Sequence, residues 1–400
     1  MQLLRTLGVL LAAAWAATSS CSESPGWTDG DPRQTLADVH ILGGATLLEN
    51  GQVLAAGGLN RLTFQATAVA ELYDPVARQW TKTGPLNTPR WSLDAITLYN
   101  GKALFAGGAE AFAEKAALAT AEIYDPATGQ FTFTMNSLSV ARQSFGISLL
   151  NDGRVLITGG NTTGNNLGGT GTTAVDIYDP ATNSFQPAAA MSFGRSLHAQ
   201  LTLRSGKVLV IGGAQVNAEI YDPELNSWTT AAESLPTTLK DMKAFELFDG
   251  RVFIPGGQNT VDGLTADATW FFDVARGKFT PGPSLAGFCY APAGVQIGTS
   301  DYSGFDLFPQ QHDQHGRYIL IAGGEHDPPT GPDVELHSAI IFDAAADKFI
   351  DVGPMPFIHD DHTESLLRIH DAGHPEVLLF GGNSTRRTSR YEFDLKTLLT

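Results

Sequence analysis

The chain has 400 residues, a formal net charge of −17 at pH 7 and two cysteines. Its 42 Asp and Glu against 25 Lys and Arg exclude a nucleic-acid groove, which needs a positive surface. Two cysteines cannot build a disulfide framework. Glycine at 43 positions, about 11% where ~7% is usual, calls for many tight turns. A single large all-β domain is compatible with this length.

Residues 1–21 read as an export leader: Arg5, an apolar stretch from Leu7 to Ala17, then small polar residues up to Cys21. The apolar stretch is shorter than the roughly 20 residues that a spanning helix needs. Thr18-Ser19-Ser20-Cys21 resembles the lipobox of bacterial lipoproteins, although Thr18 stands where Leu is usual. That resemblance implies a lipid on Cys21, a short linker over 22–26, and an exported chain held at the outer membrane or in the periplasm. Without lipidation, cleavage would release a secreted protein. No other segment is apolar enough to cross a membrane.

From residue 27 to 400 one pattern recurs. A Gly-Gly doublet ends a β-branched apolar run at Gly57, Gly107, Gly159, Gly212, Gly256, Gly323 and Gly381. An aromatic-Asp pair follows each: Tyr73-Asp74, Tyr124-Asp125, Tyr178-Asp179, Tyr221-Asp222, Phe272-Asp273, Phe342-Asp343 and Phe393-Asp394. Six residues after the first six of these aspartates stands another aromatic: Trp80, Phe131, Phe185, Trp228, Phe279 and Phe349. A gap that never varies while others do marks a fixed turn between paired strands. Before the first five doublets lie Asn50-Gly51, Asn100-Gly101, Asp152-Gly153, Ser205-Gly206 and Asp249-Gly250. Such pairs favour type I′ hairpins. Each repeat is therefore predicted to be four antiparallel strands, packing face to face with its neighbours around an axis.

These residues resemble the kelch repeat, whose members form β-propellers. An acid two before the Tyr fits as well, at Glu71, Glu122, Asp176 and Glu219, while later repeats have Trp270, Ile340 and Tyr391. The resemblance implies a seven-bladed propeller over 27–400. The last repeat stops at Thr400, where its fourth-strand aromatic would stand, and Trp27-Thr28 lies upstream of the first repeat. The N-terminal strand is thus expected to complete the last blade and close the ring.

Propeller geometry sends the 2–3 and 4–1 loops to one face and the 1–2 and 3–4 turns to the other. Arg90, Arg142 and Arg195 each stand 17 residues before their doublet, and His40 occupies that place in the first repeat. At a channel mouth they would form a guanidinium clamp for a carboxylate or sulfate. Pairing with acids or carbonyls inside the protein is the alternative. Eight of the ten histidines fall between residues 312 and 374. His326, Asp327, His359, Asp360 and His362 share the 2–3/4–1 face, and imidazole with carboxylate suits a divalent metal. The spacing matches no established metal signature, so no cofactor is expected as the default.

Kelch-like propellers also form the catalytic domain of galactose and glyoxal oxidases, whose copper-radical chemistry needs a cross-linked Cys and Tyr and a Tyr-His pair. Here Cys289 and Tyr290 are adjacent and no Tyr-His pair exists. Bacterial sialic-acid mutarotases are secreted kelch propellers, but no motif singles out their activity. No Gly-x-Ser-x-Gly elbow or Walker loop occurs. The sequence therefore favours a monomeric binding or scaffold protein, engaging a protein or polysaccharide and touching the membrane only through a lipid. The alternative is a carbohydrate-active enzyme, a mutarotase/isomerase or metal-dependent oxidase, on the 2–3/4–1 face.

Overall fold

A computed structural model describes residues 27–28, 36, 42–60, 63, 65–111, 117–163, 171–262, 268–285, 303–306, 316–322, 325–326, 334–335, 339–352, 363–366, 376–380 and 388–392. All regular elements among them are strands. The fold is an all-β propeller of four-stranded antiparallel blades, the fourth of which also pairs its last strand with Gln258–Asn259.

Six blades are made of contiguous chain. Blade 1 runs Gly44–Leu47, Val53–Ala56, Ala70–Asp74 and Gln79–Lys82. Blade 2 runs Asp94–Thr97, Ala103–Ala106, Ala121–Asp125 and Gln130–Phe133. Blade 3 runs Gly146–Leu149, Val155–Thr158, Val175–Asp179 and Ser184–Pro187. Blade 4 runs His198–Thr202, Val208–Gly212, Gln215–Asp222 and Ser227–Lys240. Blades 5 and 6 begin at Phe245–Glu246 and Ser303–Asp306 and end at Lys278–Pro281 and Lys348–Asp351.

A further four-stranded sheet is assembled from both chain ends, in the order Trp27–Thr28, Thr388–Glu392, Glu376–Phe380, Thr363–Leu366. Seven blades of one kind were expected; the structure has six of contiguous chain and this composite sheet. The N-terminal contribution is a two-residue pairing, Trp27 with Tyr391 and Thr28 with Arg390, shorter than the full fourth strand expected.

The second strand of each early blade is the core. Val53–Ala56, Ala103–Ala106, Val155–Thr158 and Val208–Gly212 are buried along their whole length. Both faces of these strands meet protein, one against the preceding blade and one against the following blade: Ala103 and Phe105 pack on blade 1, Leu104 and Ala106 on blade 3, so their sequences are unbroken apolar runs. The aromatic spacing is explained by register. Tyr73 lies opposite Trp80, Tyr124 opposite Phe131, Tyr178 opposite Phe185, Tyr221 opposite Trp228, and Phe272 opposite Phe279. Ring centroids in these pairs are 4.7–5.2 Å apart, the range of favourable tilted contacts. The aspartate caps the intervening turn: Asp74 Oδ1 accepts from the Val76 and Ala77 amides, and Asp125 and Asp179 do the same for Ala127 and Ala181.

The 1–2 turns differ from the type I′ expectation. In blade 1 the Gly51 amide donates to Leu48 O and the Leu48 amide to Gln52 O. The same two bonds recur at 98–102, 150–154, 203–207 and 247–251. Three residues, not two, separate the strands, so a left-handed residue is needed only at the glycine (φ +85 at Gly51), as in a type I turn with a G1 bulge. Asn50 helps through its side chain, whose Oδ1 accepts the Gln52 amide. The residue three before each glycine is a buried leucine: Leu48, Leu98, Leu150, Leu203 and Leu247.

Candidate functional site

The three arginines form an inner layer, each fully buried and ion-paired within its own blade. Arg90 Nη2 lies 2.9 Å from Glu122 Oε1, Arg142 Nη2 2.5 Å from Asp176 Oδ2, and Arg195 Nη2 3.0 Å from Glu219 Oε2. Arg90 also donates to the carbonyls of Thr88, Gly107 and Thr120 and to the Thr120 hydroxyl. Its fork is thereby committed to the protein, which answers a large desolvation cost. Burial pushes the guanidinium pKa values down, and the partner carboxylates push them back up. The acids in turn hold the approach loop: Glu122 accepts the Asn87 and Thr88 amides, Asp176 that of Ser139, and Glu219 that of Ser192. The clamp expected at a channel mouth is therefore an internal brace, with no surface of Arg90, Arg142 or Arg195 open to a ligand. His40, the fourth member expected, lies outside the described residues.

The arginine backbone explains the Gly-Gly doublet. The amides of Gly58, Gly108 and Gly160 donate to the carbonyls of Arg90, Arg142 and Arg195, each in the approach to the following blade. A Cβ on Gly57, Gly107 or Gly159 would stand 2.5, 2.5 or 2.6 Å from those oxygens. Blade 5 substitutes Leu239 for the arginine and Trp270 for the acid, and the two share one apolar cluster. Replacing both members avoids stranding a buried charge.

Two residues beyond each arginine position a non-glycine residue is left-handed: Leu42, Ser92, Ser144, Leu197 and Asp241, with φ from +49 to +55. The amide of each passes to the previous one: Ser92 to Leu42 O, Ser144 to Ser92 O, Leu197 to Ser144 O, and Asp241 to Leu197 O, at 2.8–3.3 Å. This belt runs through five blades at the entrance to the innermost strands. Each member bears strain on the order of 1 kcal/mol, offset by an inter-blade hydrogen bond.

Two titratable groups stand just inside the belt. Asp94, half-buried on the inner strand of blade 2, has its pKa pushed up to about 6 by burial, with Lys243 of blade 5 pulling it back. His198 fills the slot that Leu93, Phe145 and Met242 fill elsewhere. Its Nε2 lies 2.9 Å from Thr158 Oγ1, and that hydroxyl also donates to Gln200 Oε1. One hydroxyl proton cannot serve both, so Nε2 carries the imidazole proton. Burial and then the Arg195 charge push this histidine down to about 3, and it remains neutral.

Among the described residues no three His, Cys, Asp or Glu side chains converge as a metal site. The expected ligands Asp327, His359, Asp360 and His362 lie outside those residues, as do Cys21, Cys289 and Tyr290. His326 is placed in a short ribbon, Glu325–His326 against Val334–Glu335.

No protein-family model matches the chain. It is 24% identical over 264 residues to galactose oxidase of Gibberella zeae, covering 63% of this chain and 32% of that protein. It is 24% identical over 195 residues to a putative F-box/kelch-repeat protein of Arabidopsis thaliana, and 23% over 266 residues to Kelch-like protein 15 of Danio rerio. Those two matches cover 47% and 60% of this chain, and 52% and 40% of the relatives. The chain thus spans about a third to a half of the length of the curated relatives it matches. Together with the four-stranded blades, these likenesses support a kelch-type β-propeller.

Proposed function

We propose that this propeller is a binding protein that docks a protein partner, exported and held at the cell envelope by a lipid on Cys21. One observation carries the docking role: large apolar side chains are exposed on the 1–2 and 3–4 turns. Val76, Tyr99, Leu225 and Phe248 are 79, 65, 73 and 45% exposed. The turns around them are fixed by capping aspartates and buried leucines, so this exposure is not needed to form the fold. Apolar and aromatic groups on a rigid polar rim are the composition of a protein interface. Kelch propellers commonly engage protein partners, and the arginine layer, committed internally, leaves recognition to the surface. An N-terminal strand completing the composite sheet would close the ring as a seventh blade and fix both chain ends together. The innermost strand of that sheet, Thr363–Leu366, lies beside that of blade 1, as such closure requires.

The test is cross-linking of the mature chain in intact cells, with recovered partners compared between the native chain and Tyr99→Ala/Phe248→Ala. Loss of a specific adduct in the variant supports the reading; a chain that yields no protein adduct removes it. A glycan array run beside it addresses the polysaccharide alternative.

Similarity to galactose oxidase supports a second reading, a metal-dependent carbohydrate oxidase. Metal content of the tag-free protein, measured with and without His359→Ala, decides it. Stoichiometric metal lost in the variant would move the assignment to an enzyme.

A further inference from the structure

Among the described residues the turn face carries five side chains at one repeat position, the residue after each buried leucine: Glu49, Tyr99, Asn151, Arg204 and Phe248. The position is structurally constant and chemically unequal. Glu49 leans over the turn of blade 2, where a Cβ on Gly101 would stand 3.0 Å from its carboxylate. Tyr99 leans over blade 3, its ring 3.0 Å from the Cβ place of Gly153, and Asn151 leans over Gly206 of blade 4. Arg204 Nη1 donates to Leu247 O of blade 5, and the Phe248 amide donates to Gly316 O. The arc therefore shingles from blade to blade around the end of the axis. A Glu, two aromatics, an amide and an Arg at one position are more varied than forming the turn requires.

Its unpaired charge is mostly negative; among the described residues Arg78, exposed on the 3–4 turn of blade 1, is an exception. Lys102, Lys207 and Arg251 are already paired with Asp125, Asp222 and Asp249 at 2.6–3.0 Å. Glu49 and Glu224 are exposed and have no ion pair among the described residues. Beside Glu49, a cleft of about 550 Å³ runs between the turns of blades 1 and 2, lined also by Asn50, Asn100, Lys102 and Asp125. The chain as a whole carries −17, which speeds encounter with a cationic partner.

We infer that this arc docks a basic segment of a partner polypeptide, with an apolar side chain seated on Tyr99 or Phe248 and a Lys or Arg directed to the Glu49 cleft. The inference rests on the protein-binding reading above and names the chemistry of its partner.

The probes are fluorescein-labelled peptides of three repeated Lys-Phe-Ser-Lys units, the same with Glu for Lys, and the same with Ser for Phe, followed by anisotropy on the full mature chain. The Lys-Phe peptide is expected to bind most tightly, and Tyr99→Ala/Phe248→Ala to weaken it about tenfold or more. Glu49→Gln is expected to weaken it about threefold and to flatten its salt dependence. All three positions are exposed, and unchanged thermal melting confirms that the variants fold. Equal binding by native and variant chains, equal binding of the Glu or Ser peptides, or no binding at all overturns the assignment. A photo-cross-linking residue at position 99, or at Val261 on the opposite face (82% exposed), separates this failure from failure of the broader reading. Protein adducts from 261 alone sink the arc and leave a protein-binding propeller. Adducts from neither position sink both.

Discussion

Arg142 Nη2 and Asp176 Oδ2 lie 2.5 Å apart, with both side chains wholly withdrawn from water. The pair braces blade 3 from inside, because Arg142 also reaches the carbonyls of Val140, Gly159 and Ala174. Removing one partner leaves the other as a buried charge. We therefore expect Arg142→Met to cost about 3–5 kcal/mol in urea unfolding. Blade 5 shows that an apolar pair, Leu239 and Trp270, occupies the same place. Arg142→Leu combined with Asp176→Leu is accordingly expected to be at least about 1 kcal/mol more stable than Arg142→Leu alone. A double variant no better than the single would show that the carbonyl contacts, not the charge, dominate.

A doublet glycine set against a turn glycine offers a second comparison. Gly107 has φ +57 and an Arg142 carbonyl 2.5 Å from its Cβ place; Gly250 has φ +86 with nothing within 4 Å. Gly250→Ala bears only the left-handed backbone penalty, about 1 kcal/mol. Gly107→Ala adds a backbone clash that separates blades 2 and 3, and we expect at least twice that loss. Similar losses at both sites would remove the inter-blade role assigned to the doublet.

Much of this arrangement is legible in the sequence. Tyr124, Asp125 and Phe131 announce a cross-strand pair and its turn because the turn has one length throughout. The turn at Asn50-Gly51 was less legible, since Asn-Gly also suits a two-residue loop and only strand register shows that Glu49 belongs to the turn. Arg90 and Glu122 each stand at recurrent positions, yet their contact spans 32 residues, and no local spacing signals it. The belt at Leu42, Ser92, Ser144, Leu197 and Asp241 left no sequence mark. Its requirement is a backbone amide aimed at the neighbouring blade, which Leu, Ser and Asp meet alike.

The proposed lipid anchor on Cys21 makes its own prediction. A lipid anchor stabilises membrane attachment by roughly 0.8 kcal/mol per buried methylene, and a thiol is its only attachment point. Cys21→Ser is therefore expected to abolish incorporation of radiolabelled palmitate and to move the chain from the membrane pellet to the soluble fraction. Undiminished labelling of the Ser variant would end the anchor reading.

His198 and Asp94 give opposite pH dependences. His198 stands at about 3 when folded against 6.5 for an ordinary histidine, so it takes up its proton on unfolding. Its contribution is complete above about pH 6.5 and is lost as pH falls through 6.5 toward 3, at up to ~1.4 kcal/mol per unit. Asp94 stands at about 6 against 3.8, so its ionised form weakens the fold above pH 6 and that penalty fades between pH 6 and 4. We expect Asp94→Asn to stabilise the chain at pH 7.5 by on the order of 1–3 kcal/mol and to lose that advantage by pH 4. His198→Met, which matches Met242 at the equivalent slot, is expected to flatten the fall in stability between pH 6.5 and 4. Urea unfolding across that range reads both. An Asp94→Asn advantage that grew on acidification would show that the carboxylate is stabilised, not penalised, by its place beside the axis.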